Sequence, residues 1–61
     1  MTLSTSIKYH ARQLKQEYLT RVRAEAHIEE AVEDILEEHP NADQEEVDSD
    51  LREELEDLFG E

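Results

Sequence analysis

Apolar residues recur along most of this chain at alternating steps of four and three. They run Ile7, Ala11, Leu14, Tyr18 and then, after a gap, Ile28, Val32 and Ile35, with Ala31 and Leu36 widening the second half of the stripe. That spacing gathers them on one face of an α-helix. No Gly or Pro interrupts the pattern before Pro40. It predicts a long first helix over about 6–38, with an N-cap drawn from Ser4 to Ser6 in the hydroxyl-rich start of the chain.

The stripe has one flaw. Continued through the gap, it places Arg21 and Glu25 where apolar residues belong. The simpler reading is that the helix breaks or bends near residues 20–25, or that Val22, which lies close to the stripe, takes it over locally. The sharper reading is a polar layer in which Arg21 and Glu25, four apart, pair on one helix or across to a second copy.

The segment His39-Pro40-Asn41-Ala42-Asp43 is the clear punctuation of the chain. Pro40 disfavours helical backbone at His39 and ends the first helix. Asp43 can cap the next one, with Glu46 three residues on in an imperfect capping box. Val47, Leu51, Leu55, Leu58 and Phe59 then repeat at helical spacing, and Gly60 supplies a stop. A short second helix is expected over about 44–59. The fold class is all-α: a helix-loop-helix hairpin forming a single small domain over residues 1–61.

A short helix folded back on the end of a long one covers Ile28, Val32, Ile35 and Leu36, because a short linker favours antiparallel neighbours. It leaves Ile7, Leu14 and Tyr18 open, and an open apolar stripe of that length is a liability in a monomer. The expected solution is a homodimeric, coiled-coil-like helical bundle whose interface is made by Ile7, Leu14, Tyr18 and Val22. Size points the same way. A chain of 61 residues buries a marginal core, and with no cysteine it cannot use disulfides or thiolate metal sites.

Charge changes the picture most, because it is sorted by position. Residues 1–23 form a basic amphipathic segment, with five bases against one acid; residues 24–61 form an acidic hairpin, with seventeen acids against one base. The sum is a net charge of −12. Sorted charge implies either two surfaces with different partners or two segments that neutralise each other. Charged residues at 39% and hydrophobic ones at 36% lie near the composition of disordered chains, and the regular apolar spacing argues for a folded one. No apolar run approaches a membrane span, and the first residues lack the apolar core of a secretory signal, so a cytoplasmic protein without membrane contact is expected.

Two charged faces are candidate binding surfaces. Lys8, Arg12, Lys15 and Arg23 flank the apolar stripe and could contact phosphates, although four such contacts on a chain of this net charge would bind nucleic acid weakly. Glu30, Glu33 and Glu37, with Asp50, Glu54 and Asp57, would line an acidic rod. Such a rod could steer the chain to a basic protein, or imitate a nucleic-acid duplex in the groove of a nucleic-acid-binding protein. The alternative for both faces is plain solvation, or a habit of living in high salt.

The chemistry of catalysis is missing from the pattern. His10, His27 and His39 are far apart along the chain and none follows a Glu at the i−3 spacing of bundle metal sites, so no metal or other cofactor is expected. There is no phosphate-binding Gly-rich loop and no nucleophile elbow, and paired carboxylates on solvated helix faces lack anything to split their pKa values. The chain is therefore read as non-enzymatic: an interaction module that regulates or inhibits a larger basic partner, with nucleic-acid association through the basic face as the alternative.

Overall fold

The computed structural model describes residues 2–60 and is all-helical. Four helices follow in order: α1 (Leu3–Glu17), α2 (Arg21–Ala26), α3 (Ile28–Glu38) and α4 (Gln44–Phe59). The long first helix expected over 6–38 is thus three helices. The break falls just before the flaw in the stripe. Tyr18 ends α1 in extended backbone, φ −117° and ψ 128°, with its N–H still donating to the Leu14 carbonyl. Thr20, also extended, caps α2 by accepting a 3.3 Å hydrogen bond from the Arg23 N–H. A straight helix would have carried Arg21 and Glu25 into the core. The break turns the chain so that Arg21 stays in solvent, 3.6 Å from Glu25 one helical turn on, while the small Ala24 enters the core. Val22 does not take over the stripe: it is 77% exposed. A second, milder kink lies at His27, which closes α2 and opens α3 with φ −106° and ψ 10°.

Capping fixes the other boundaries. α1 starts earlier than expected because Thr2, not Ser4 to Ser6, is its N-cap, accepting from the Thr5 N–H at 3.2 Å. Ser6 is fully buried instead and shares a 3.1 Å hydrogen bond with His39 Nε2. Asp43 caps α4 as expected, but its carboxylate accepts from the Glu45 N–H at 3.0 Å rather than from Glu46. Gly60 closes α4 at φ −71°, so it does not supply a left-handed stop. Its lack of a side chain matters because a Cβ there would lie 2.5 Å from the Glu56 carbonyl oxygen.

The core is one cluster drawn from all four helices: Ile7, Ala11 and Leu14 of α1, Ala24 of α2, Ile28, Ala31, Val32 and Ile35 of α3, and Val47, Leu51 and Leu55 of α4. α1 packs chiefly on α4, and α3 packs on α4 as well. α1 and α3 run in opposite directions: Ser6 meets His39 at one end, and Tyr18 stacks on His27 at the other. This arrangement covers the stripe that the sequence left open. Ile7 is 4% and Leu14 7% exposed within the single chain, because α4 lies over α1 as well as α3. The radius of gyration is 10.5 Å, close to the value of about 10.5 Å that compact chains of this length have.

Candidate functional site

The four residues expected at an interface are separated by the fold. Ile7 and Leu14 are core. Tyr18 is half-buried, its ring stacked on His27 with centroids 4.3 Å apart and planes within 6°. Partial desolvation in that position, then the negative charge of Glu17 and Glu30, raise the Tyr18 phenol above its ordinary pKa. Val22 stands in solvent, and beside it Leu19, which the stripe had not singled out, is 91% exposed.

The basic face is divided too. The Lys15 ammonium donates a 2.8 Å hydrogen bond to the Leu58 carbonyl and lies 5.8 Å from the centroid of the Phe59 ring. It therefore satisfies an end carbonyl of α4 and offsets the negative end of that helix. Arg21 bridges Glu25 and, at 3.7 Å, Glu56 of α4. Lys8, Arg12 and Arg23 are exposed and, among the described residues, have no carboxylate within 4 Å. Part of the sorted charge thus acts inside the molecule, holding α1 and α2 to α4.

The acids are far in excess of what that internal pairing uses. Among the described residues, carboxylates with a basic group within 4 Å are Glu25, Glu30, Glu38, Asp48 and Glu56, and two of these face only a histidine. Glu33 and Glu37 are exposed on α3 and lack such a partner, as do Asp50, Glu53, Glu54 and Asp57 on α4.

The candidate acidic residues fall on two surfaces. Asp50, Glu54 and Asp57 come together with Glu53 and Glu56 along an open groove of about 550 Å³ between α4 and the first half of α1. Residues 50, 53, 54 and 57 are one helical stripe, and the groove's α1 wall is Leu3, Ser4 and Ile7. Glu30 lines a different, smaller depression between α1 and α3, with His10, Tyr18, His27 and Asp34. Glu33 and Glu37 follow Glu30 at helical spacing on α3.

Glu29 and Glu30 in the first turn of α3, and Glu45 and Glu46 in that of α4, stand where the helix dipole favours them, whereas the acids at the other ends of these helices are placed unfavourably for folding. A helix end carries partial negative charge, so carboxylates in a last turn are repelled and bases attracted. The last turns of α3 and α4 contain no base. They contain Glu37 and Glu38, and Glu56 and Asp57.

The sequence did not single out the histidines for this arrangement. All three lie along the contact of α1 with α3 and its end: His10 within 4.0 Å of Glu38, His27 on Tyr18, and His39 on Ser6. Their spacing of seventeen and twelve residues carries no periodic signal that would have revealed it. Among the described residues no group of three or more His, Cys, Asp or Glu side chains is arranged to hold a metal ion. No described helix is long and apolar enough to cross a membrane. Compared with protein-family models, curated proteins and solved structures, the chain matches none.

Proposed function

We propose that this chain is a small interaction module that offers the carboxylates of α3 and α4 to a larger protein with a basic surface. One observation carries the reading: acids crowd the last turns of α3 and α4, where the helix dipole opposes them, and neither helix supplies a base of its own there. Lys15 and Arg21 answer only the end of α4 and Glu56, leaving Glu37 and Asp57 without a cation among the described residues. Each such charge costs about 0.3–1 kcal/mol of stability at an exposed helix end. A small domain has little to spare, and local rules of helix design are broken most often where a residue serves binding instead of folding. The lack of cationic partners for Glu33 and Glu37 among the described residues supports it, since such a carboxylate is open to an incoming Lys or Arg. Attraction between opposite surfaces of this kind acts mainly on the rate of encounter and weakens with salt.

Charge reversal on α3 tests the reading. The wild-type chain, immobilised, is expected to retain basic proteins and release them as salt rises. The variant Glu30→Lys, Glu33→Lys, Glu37→Lys is expected to lose that retention while its helical circular dichroism is unchanged. Undiminished retention by the reversed variant would remove the acidic α3 face from the account. Competition by duplex DNA separates the narrower reading of a DNA mimic: a captured partner that duplex DNA displaces is one whose nucleic-acid site the chain occupies.

A further inference from the structure

The link between α1 and α2 is only residues 18–20, and with α2 it turns the chain back so that α3 runs against α1. None of Tyr18, Leu19 and Thr20 is a Gly or a Pro. Tyr18 and Thr20 nevertheless hold extended backbone. The two most exposed large apolar side chains among the described residues, Leu19 at 91% and Val22 at 77%, stand at this turn. The turn thus ends a helix early and leaves apolar surface in water, and both effects are unfavourable.

What the turn secures is the packing of α1. Ile7, Ala11 and Leu14 enter the core, Ser6 meets His39, and Lys15 reaches the Leu58 carbonyl. None of these contacts requires α1 to belong to the same chain as α3 and α4. An α1 from a second copy carries the same side chains and fits the same seat, so exchange of α1 between two copies remakes the core and releases both turns. Short hinge loops favour such exchange.

We propose that residues 18–20 are a hinge through which α1 leaves its own α3 and α4 and docks on those of a second copy, giving a two-fold dimer by exchange. In the opened chain Tyr18, Leu19 and Thr20 take helical backbone, and the apolar steps of α1 run on through Val22. The two opened hinges lie side by side at the two-fold axis, where Leu19 and Val22 of each copy meet those of the other. Arg21 and Glu25, which pair within one chain, are there able to pair between copies. Apart from the hinge, exchange uses only surfaces that a single chain already buries. It leaves the acidic faces of α3 and α4 unaltered and sets two copies of them on one particle, so it stands apart from the reading above. Repulsion between two chains of net charge −12 opposes it, and added salt favours it.

A short tether holds its two ends at an effective concentration on the order of millimolar. As the chain approaches that range, its average mass by sedimentation equilibrium is expected to climb from the single-chain 7.2 kDa to that of two chains and no further. An equal mixture of isotope-labelled and unlabelled chains, unfolded and refolded together at that concentration, is expected to show nuclear Overhauser contacts between chains from Ile7 and Leu14 of α1 to Leu51 and Leu55 of α4. Leu19→Pro disfavours helical backbone at Tyr18, which is already extended in the single chain, and is expected to hold the protein at one chain with its helical circular dichroism unchanged. Insertion of Gly-Ser-Gly between Leu19 and Thr20 keeps both apolar side chains, eases the turn and is expected to have the same effect, so the test survives a proline that disturbs folding. A wild-type chain that stays at its single-chain mass overturns the proposal. So does a dimer that the lengthened hinge leaves intact, or one whose contacts between chains involve Leu19 and Val22 alone, which would mark a plain surface contact.

Discussion

The last turns of α1 and α2 hold Lys15 and Arg23; those of α3 and α4 hold acids and no base. At its C-terminal ends the first pair of helices obeys the electrostatics of the helix dipole and the second pair violates it, although the second pair obeys it at its N-terminal ends with Glu29, Glu30, Glu45 and Glu46. The same division runs through the ion pairs. Lys15 and Arg21 are used inside the molecule, on the end of α4 and on Glu56, while Glu33, Glu37, Glu53 and Asp57 are answered by nothing within the described residues. The difference separates charge that serves folding from charge that folding tolerates. In a domain this small, the tolerated charge is where a binding surface is to be sought.

The largest effect that can break the comparison concerns what holds α1 to α4. Leu14 is in the core and Leu19, five residues on, is in water. Leu14→Ala is expected to lower the unfolding free energy in urea by about 2–4 kcal/mol, and Leu19→Ala to change it by less than about 0.5 kcal/mol. Equal losses would mean that α1 ends elsewhere and that the break at Tyr18 is misplaced. The next effect is that of salt. With acids outnumbering bases, self-repulsion opposes the compact state and screening relieves it. The thermal midpoint is expected to rise by several degrees from low salt to molar NaCl, each 1 kcal/mol being worth about 4–8 °C in a domain of this size. A falling midpoint would show that the internal pairs outweigh the repulsion. The smallest effect compares two lysines. Lys15→Gln is expected to cost about 0.5–1 kcal/mol, since it removes a cation from the end of α4, and Lys8→Gln to cost nothing measurable. Should Lys8 matter as much, the basic face acts as a whole and not through one contact.

How much of this was readable from the sequence is itself a matter of physics. The second helix was legible because Pro40 cannot continue a helix, Asp43 can cap one, and five apolar residues after it keep step. The core positions of α3 were legible for the same reason, since Ile28, Val32 and Ile35 are all buried, whereas Ile7 and Leu14, read as a stripe left for a second copy, are buried within the one chain. The break after α1 was visible only as a flaw. Nothing at Tyr18-Leu19-Thr20 forbids a helix, and the chain leaves helical backbone there because burying Arg21 and Glu25 costs more than losing a turn. That local choice governs the rest. With the first helix broken, α4 reaches α1 and covers Ile7 and Leu14, so the stripe expected to remain open is closed within one chain. Among the candidate acidic residues, Glu30, Glu33, Glu37 and Asp57 are exposed, and Asp50 and Glu54 are half-buried. That Asp50, Glu54 and Asp57 share a groove with α1, and that Glu30 does not, depends on how the helices pack and was beyond any reading of spacing.

The central claim is that the acids at the ends of α3 and α4 are kept for something other than folding. Urea unfolding of the double variant Glu37→Gln, Asp57→Asn against the wild type tests it most directly, because both substitutions keep the shape and remove only the charge. The variant is expected to be more stable, by about 0.5–2 kcal/mol if each neutralised end charge gives back its share. A variant less stable than the wild type would show that these carboxylates support the fold, and the acidic surface would lose its claim to be a binding site.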